Sequence, residues 1–262
     1  MSGRGTWIEK VFALGRGLSE AAGLRDDSEQ PLHMAGIEAV AISHMFNSSP
    51  NNGAQLDQEK AMRVFSSSNI IHIGAHGMYY PSSPLVSCIS LKEKLRVFDI
   101  IPKTHSSPSL ICFSACFSGM GRPTFGNDLL GFSNAVLERG CSAYIGSLWK
   151  VNDFSTMLLM TNFYRTLRDN DRSLSVAELF GRAQASLYLM DAQQRVDAVT
   201  HLLQELPPAE LDKQNPSQFV KNARLWLIRT ARKMQAFDFS HPFFYAPFIL
   251  VGYGHLSFPP IT

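Results

Sequence analysis

Two short segments end in side chains able to do nucleophilic or acid–base chemistry: Asn69-Ile-Ile-His-Ile-Gly-Ala-His76-Gly77 and Ser109-Leu-Ile-Cys-Phe-Ser-Ala-Cys116. A free thiol ionises near pH ~8.5, so at neutral pH only a small fraction is the nucleophilic thiolate unless a base helps. An imidazole, with a pKa near ~6.5, is suited to that task. Each reactive residue follows an apolar run, the pattern of a buried strand that delivers its last residue to one end of a sheet. In open α/β sheets, catalytic groups gather beyond the carboxyl ends of neighbouring strands. His76 and Cys116 are therefore read as base and nucleophile of a cysteine hydrolase. Gly77, lacking a Cβ, lets its backbone approach a substrate, and its N–H could join that of Cys116 in polarising a carbonyl, worth about 3 kcal/mol per donor. A plain turn would also account for Gly77.

The other cysteines, Cys88, Cys112 and Cys141, complete a set of four, too few for a disulfide scaffold in 262 residues. Cys112 and Cys141 sit inside apolar runs and read as small buried side chains. Cys116 differs, because it ends its run and precedes Phe117-Ser-Gly-Met-Gly121, whose glycines permit an open turn. A Cys2His2 metal set from His72, His76, Cys112 and Cys116 fails on spacing, since four residues along a strand separate the members of each pair by about 13 Å. No metal and no cofactor is expected.

Composition bounds the partners. A chain that is 45% hydrophobic and 18% charged buries a full core, and 24 basic against 22 acidic residues give a formal charge of +2, which calls for no nucleic acid. No apolar stretch reaches the ~18 residues of a membrane span, and Val11-Phe-Ala-Leu14 is too short for a signal-peptide core. The expected location is cytoplasmic.

The elements that must position His76 and Cys116 alternate along the chain. Val11–Leu14 reads as a strand and 15–31 as a polar connection. Gly36–Phe46 reads as an amphipathic helix, and Leu56–Phe65 as a second helix capped by Asp57. The His76 strand follows, then Val86–Leu91 as an exposed strand, and then the Cys116 strand. Asn127 and Asp128 are expected to begin a helix that covers Leu129–Arg139 and stops at Gly140, a left-handed C-terminal position. Cys141–Leu148 reads as a third buried strand, with helices at Asp153–Arg168 and Leu174–Met190. Two more helical patterns, Val196–Leu206 and a basic amphipathic Phe219–Met234, lead to a last strand at Pro247–Gly252. Trp149, His241 and His255 read as structural, and His105 as exposed. Strands that are apolar throughout, alternating with helices, imply a mostly parallel central sheet in a three-layer α/β/α sandwich.

Five segments in order resemble one family: Ile71-His-Ile-Gly-Ala-His76-Gly77; Leu110-Ile-Cys-Phe-Ser-Ala-Cys116-Phe-Ser-Gly119; Asp128-Leu-Leu-Gly131-Phe; Tyr144-Ile-Gly-Ser-Leu-Trp149-Lys-Val-Asn-Asp153; and His241-Pro-Phe-Phe-Tyr-Ala-Pro-Phe-Ile-Leu-Val-Gly252. The pattern is similar to the CHAT domain family of caspase-like (clan CD), separase-related cysteine peptidases, and extends from about Val11 to Tyr253. That resemblance implies a caspase-like fold and a thiol endopeptidase that forms an acyl-enzyme. His76 would be its base or imidazolium partner, Cys116 its nucleophile and the Gly77 amide its oxyanion donor. It also places Asp153 where separase-like relatives carry an acid for a basic side chain before the cleaved bond, which suggests cleavage after Arg or Lys. Asp153 equally fits the N-cap of the helix that follows it.

On this reading residues 1–30 form an N-terminal strand and linker and 31–256 the peptidase domain, with a helical insertion at about 192–236. Family members carry further strands before the position of Val11, so the chain reads as a fragment, an excised domain or a truncated product. The implied partners are a protein or peptide substrate and regulatory repeat or NTPase modules outside this chain. The rival is a catalytically silent caspase-like scaffold, against which the retention of both His76 and Cys116 argues.

Overall fold

Apolar runs that match on neighbouring strands must be covered on both faces, and helices supply the cover. The computed structural model describes residues 11–15, 32–52, 56–101, 108–124, 128–170, 173–206, 217–256 and 258. In chain order these form β1 (Val11–Gly15), α1 (His33–Met45), β2 (Asn51–Asn52), α2 (Gln58–Ser67), β3 (Ile70–Gly74), β4 (Gly77–Met78), β5 (Cys88–Ser90), β6 (Lys94–Arg96), α3 (Val97–Ile100) and β7 (Leu110–Ser114). They continue as β8 (Gly121–Pro123), β9 (Leu129–Gly131), α4 (Phe132–Glu138), β10 (Ala143–Ser147), α5 (Asp153–Arg168), α6 (Val176–Leu189), α7 (Ala192–Glu205), α8 (Ser217–Met234), α9 (Pro242–Tyr245) and β11 (Phe248–Gly252).

The central sheet has six strands in the order β11-β10-β7-β3-β1-β2, parallel throughout except for β11. Alternate side chains of each strand enter two cores, as a period of two requires. Ala13, Ile70, Leu110, Cys112, Ala143 and Ile145 face α1, α5, α6, α7 and α8. Leu14, Ile71, Ile73, Ile111, Phe113 and Tyr144 face α2, α3 and α4. The result is the expected three-layer α/β/α sandwich around a mostly parallel sheet. The residues of β3, β7 and β10 are all buried, which is why they read as unbroken apolar runs rather than alternations.

Several local expectations change. The helix α1 is not amphipathic: Met34 to Ser43 and Met45 are all buried, because it is enclosed by the sheet, α5, α7 and α8. The strand expected at Val86–Leu91 is shorter and buried, one of three in the small antiparallel sheet β4-β5-β6. Leu129–Gly131 does not open a helix but pairs with Gly121–Pro123 as a hairpin, so α4 starts at Phe132 and Asp128 is not helical. Asn127, His105 and the connection 16–31 lie outside the described residues. The Asp57 cap accepts from the Lys60 N–H at 2.9 Å, and Gly140 has the expected positive φ, 98°.

Close approach of backbones fixes α1 above the strand ends. A Cβ on Gly15 would lie 2.3 Å from the Ala35 carbonyl oxygen, so only glycine lets the first turn of α1 rest on the end of β1.

Candidate active site

Adjacent parallel strands bring His76 and Cys116 to one place. The β3–β7 ladder runs in register from Ile70↔Leu110 to Gly74↔Ser114, and the Ala75 N–H continues it to the Ser114 carbonyl at 3.4 Å. His76 and Cys116 each lie two residues beyond the last rung, on strands about 4.8 Å apart. Both are half-buried, whereas Cys88, Cys112 and Cys141 are fully buried. Burial pushes the Cys141 thiol up to about 12 and the Cys112 thiol well above its ordinary value.

After β3 the chain turns into β4 and passes against Cys116. The Ser90 N–H donates to the His76 carbonyl at 2.8 Å, which makes 76 and 90 a hydrogen-bonded pair of the β4–β5 ladder. Gly77, the next residue, therefore directs its N–H and C=O away from β5. Gly77 also packs against Cys116: a Cβ on Gly77 would come within 2.1 Å of the Cys116 carbonyl oxygen. The glycine is thus required by contact with the Cys116 segment, over and above any turn.

The turn that carries Cys116 is clamped from beneath. Ser118 Oγ donates to the Phe113 carbonyl at 2.8 Å and accepts from the Ser147 N–H at 2.9 Å, while Tyr144 donates to the Ser118 carbonyl at 2.7 Å. Ser147 Oγ lies 2.6 Å from the Ala115 carbonyl oxygen. Phe117, directly after the thiol, has φ of 59°, a left-handed conformation that costs a non-glycine residue about 1 kcal/mol or more. Its N–H is held by the Trp149 carbonyl at 3.3 Å. Trp149 thus serves the site through its backbone, at the start of the segment that leads into α5.

That segment sets the electrostatics of the thiol. Burial raises the Cys116 pKa above its ordinary value; the Val151 N–H directed at the sulfur and the charge of Lys150 oppose the rise, and the charge of Asp153 adds to it. In this arrangement the sulfur is mostly protonated at neutral pH, and a base must take its proton at the moment of attack.

Asp153 corrects one of its two expected roles. The N-cap of α5 is Asn152, whose side chain accepts from the Ser155 N–H at 3.0 Å. Asp153 instead reaches across to α1, where Oδ2 accepts from the Met34 N–H at 3.0 Å, and it also draws on the Ala35 N–H. The residue at α1's own cap position, Leu32, makes no side-chain cap, so Asp153 satisfies donors that would otherwise lack a helical partner. Burial pushes its carboxyl up to about 7, helped by the nearby Glu38 charge and opposed by the two amides. The Asp153 carboxyl therefore loses its proton near neutrality, and its charge is felt at the Cys116 thiol.

Sequence reasoning missed a second buried pair below Asp153, Glu38 of α1 and His72 of β3, with Oε1 and Nε2 2.6 Å apart. Its signal was available: one acid in the apolar helix Ala35-Gly-Ile-Glu-Ala-Val and one histidine in the apolar strand Ile70-Ile-His-Ile. Among the described residues no group of three or more His, Cys, Asp or Glu side chains is placed to hold a metal ion, and no helix is long and apolar enough to cross a membrane. His241 caps α9 by accepting from the Phe243 N–H at 3.2 Å.

No curated protein matches the chain. A family model does, under the description CHAT domain, and it covers residues 18–253, a span that takes in both strand ends, the Asp153 segment and the last strand. With nearly its whole length inside that match and the expected sandwich around it, the chain belongs to the CHAT domain family, which is caspase-like.

Proposed function

We propose that the chain is a cysteine endopeptidase in which His76 and Cys116 form the catalytic dyad. The observation that carries this reading is their placement, each two residues past the paired ends of β3 and β7, with Cys116 the one cysteine of the four that is not fully buried. His76 takes the thiol proton, the sulfur attacks the scissile carbonyl carbon, and the resulting oxyanion is met by the Gly77 N–H. His76 then returns the proton to the leaving amine. A water molecule, deprotonated in turn by His76, hydrolyses the thioester and frees the enzyme. Such a dyad needs no metal and no cofactor.

Asp153 supplies the preference. A guanidinium or ammonium entering beside it replaces the solvation its carboxylate lacks, so a basic side chain before the cleaved bond is stabilised there and draws the carboxyl into its charged form. Substrates are therefore proteins or peptides cleaved after Arg or Lys. A second reading, a silent scaffold, draws support from one observation, the raised pKa of Cys116 in this arrangement.

A peptidyl ketone probe with Arg before the electrophilic carbon separates the two. Mass spectrometry is expected to place the adduct on Cys116, with no labelling of Cys116→Ala or His76→Ala. Absence of any adduct at Cys116 in the folded chain would reject the peptidase reading.

A further inference from the structure

The proposed chemistry leaves the outer face of α8 without a task. The inner face is used by the fold: Ala223, Leu227, Ala231 and Met234 are buried, and the Trp226 ring stacks on His33 of α1 at 3.9 Å. The outer face is not that of a merely solvated helix. Ser217–Met234 contains five basic residues and no Asp or Glu, in a chain whose formal charge is +2. A helix that needs only solubility does best with both signs at spacings of three and four, where opposite charges attract and like charges repel. Here Arg229 has Arg232 and Lys233 at those spacings. The helix end accounts for Arg232 and Lys233, because cations are favoured in a last turn. It does not account for Arg224 and Arg229. Among the described residues no ion pair involves any of the four.

The placement of two aliphatic side chains says what kind of partner this face fits. Leu225 and Ile228 are 54% and 40% exposed, three residues apart at the centre of the outer face. Arg224 lies to one side of them, Arg229 and Lys233 lie to the other, and Arg232 follows one turn after Ile228; all four are exposed. An apolar seam with charges along both margins is how one helix packs on another: the seam supplies contact and the charges choose the partner. The complement is a helix with apolar residues at the same spacing and carboxylates beside them, which a guanidinium can grip with two parallel hydrogen bonds. A phosphate backbone would satisfy the cations and leave Leu225 and Ile228 against polar groups. A bilayer would take up an apolar helix face, and α8 has turned that face inward.

We propose that the outer face of α8, centred on Leu225 and Ile228 and rimmed by Arg224, Arg229, Arg232 and Lys233, docks an acidic amphipathic helix of a partner protein. The patch is small, so the complex is weak and reversible. Its location is useful: Trp226 stacks on His33, and the next residue, Met34, holds Asp153 through its N–H, so a docked partner lies close to the candidate site. The proposal does not rest on the peptidase reading.

The probe is a fluorescein-labelled synthetic peptide of about 20 residues, with Leu at alternating spacings of three and four and Glu beside them, so that its charge prevents self-pairing. A permuted peptide of the same composition spreads its Leu residues around the whole helix. Fluorescence anisotropy with the full chain at about 0.15 M salt is expected to give a dissociation constant on the order of 10⁻⁵ M for the patterned peptide and one about tenfold higher for the permuted one. Leu225→Gln with Ile228→Gln, at exposed positions and with helix propensity kept, is expected to abolish that tenfold preference. Arg224→Gln with Arg229→Gln is expected to weaken both peptides and flatten their salt dependence. Equal binding of the two peptides to the unaltered protein would overturn the proposal, because charge alone would then suffice, and this comparison decides without any variant. Tighter binding of duplex DNA, or of vesicles made from equal parts phosphatidylserine and phosphatidylcholine, would overturn it too, as would the absence of measurable peptide binding.

Discussion

Asp153→Asn isolates the energetic consequence of holding a carboxyl in this site. Its folded-state pKa, about 7, lies above the ordinary 3.8, a rise of about three units. At ~1.4 kcal/mol per unit the rise corresponds to roughly 4 kcal/mol. The direction follows from proton binding. Between about pH 4 and pH 7 the folded protein holds this proton more tightly than the unfolded chain, so stability is greatest below the unfolded pKa. It declines as pH rises through the folded one and is flat above it. Asparagine keeps an oxygen for the Met34 N–H and loses the charge, but it serves the Ala35 N–H less well, at a cost of about 1 kcal/mol. The variant is therefore expected to be less stable than the parent by about 1 kcal/mol at about pH 3 and more stable by about 3 kcal/mol at about pH 8, the two curves crossing near pH 4.5. Urea unfolding followed by tryptophan fluorescence across that range measures both proteins. Titrating groups that do not interact with Asp153 cancel in their difference. A difference that does not change with pH would refute the burial of an acid here and with it the electrostatic account of the pocket.

Further tests bear on the surrounding geometry. Iodoacetamide on the native chain is expected to modify Cys116 and spare Cys88, Cys112 and Cys141, with a rate that still climbs about tenfold per pH unit at pH ~8, since burial raises the Cys116 pKa; peptide mapping reads the site. Gly77→Ala places a Cβ 2.1 Å from the Cys116 carbonyl oxygen, about 1 Å inside contact distance, and a displacement of that size is expected to cost about 100-fold in labelling of Cys116 by the ketone probe while far-UV circular dichroism stays unchanged. Ser175→Ala removes the capping box with Glu178 at the start of α6 and is expected to cost about 1 kcal/mol in urea unfolding with no change in probe labelling.

Much of this arrangement is legible in the residues, and the exceptions have physical causes. The three fully buried parallel strands announce themselves because each needs apolar side chains on both faces, and the matched ends of β3 and β7 leave His76 and Cys116 each two residues past the last rung. The periodicity of α1 is misleading because a period near 3.6 persists in a helix whose polar-looking positions, Glu38 and Ser43, are buried by α5, α7 and α8. Leu129–Gly131 reads as helix because three apolar-to-small residues carry no period of their own; what makes it a strand is pairing with Gly121–Pro123, a partner local spacing does not reveal. Asp153 was ambiguous for a related reason. A carboxylate at a helix start satisfies local capping rules, but Asn152 takes that role and frees Asp153 for a helix more than a hundred residues earlier in the chain.

The contact between Asp153 and α1 also bears on the sign of charge this fold accepts. The chain leaves β1 for β2 on one side and returns to β3 on the other, so the crevice beyond the ends of β1 and β3 is the point where an open parallel sheet reverses direction. The first turn of α1 rests there, and a helix N-terminus at such a point ordinarily favours an anionic ligand. Here the anion is part of the protein: the buried Asp153 carboxyl occupies the Met34 and Ala35 amides that would otherwise be open donors. Removing that acid is expected to reverse the preference. In Asp153→Ala the amides are left to a small anion, and sulfate at about ten times its dissociation constant should stabilise the variant by about 1.4 kcal/mol, with no matching effect on the parent protein. Thermal unfolding of both proteins in sodium sulfate, against sodium chloride at equal ionic strength, makes the comparison. Equal stabilisation of parent and variant would mean that Asp153 does not fill an anion site, and the proposed preference for a basic side chain would then lose the helix-held carboxylate it rests on.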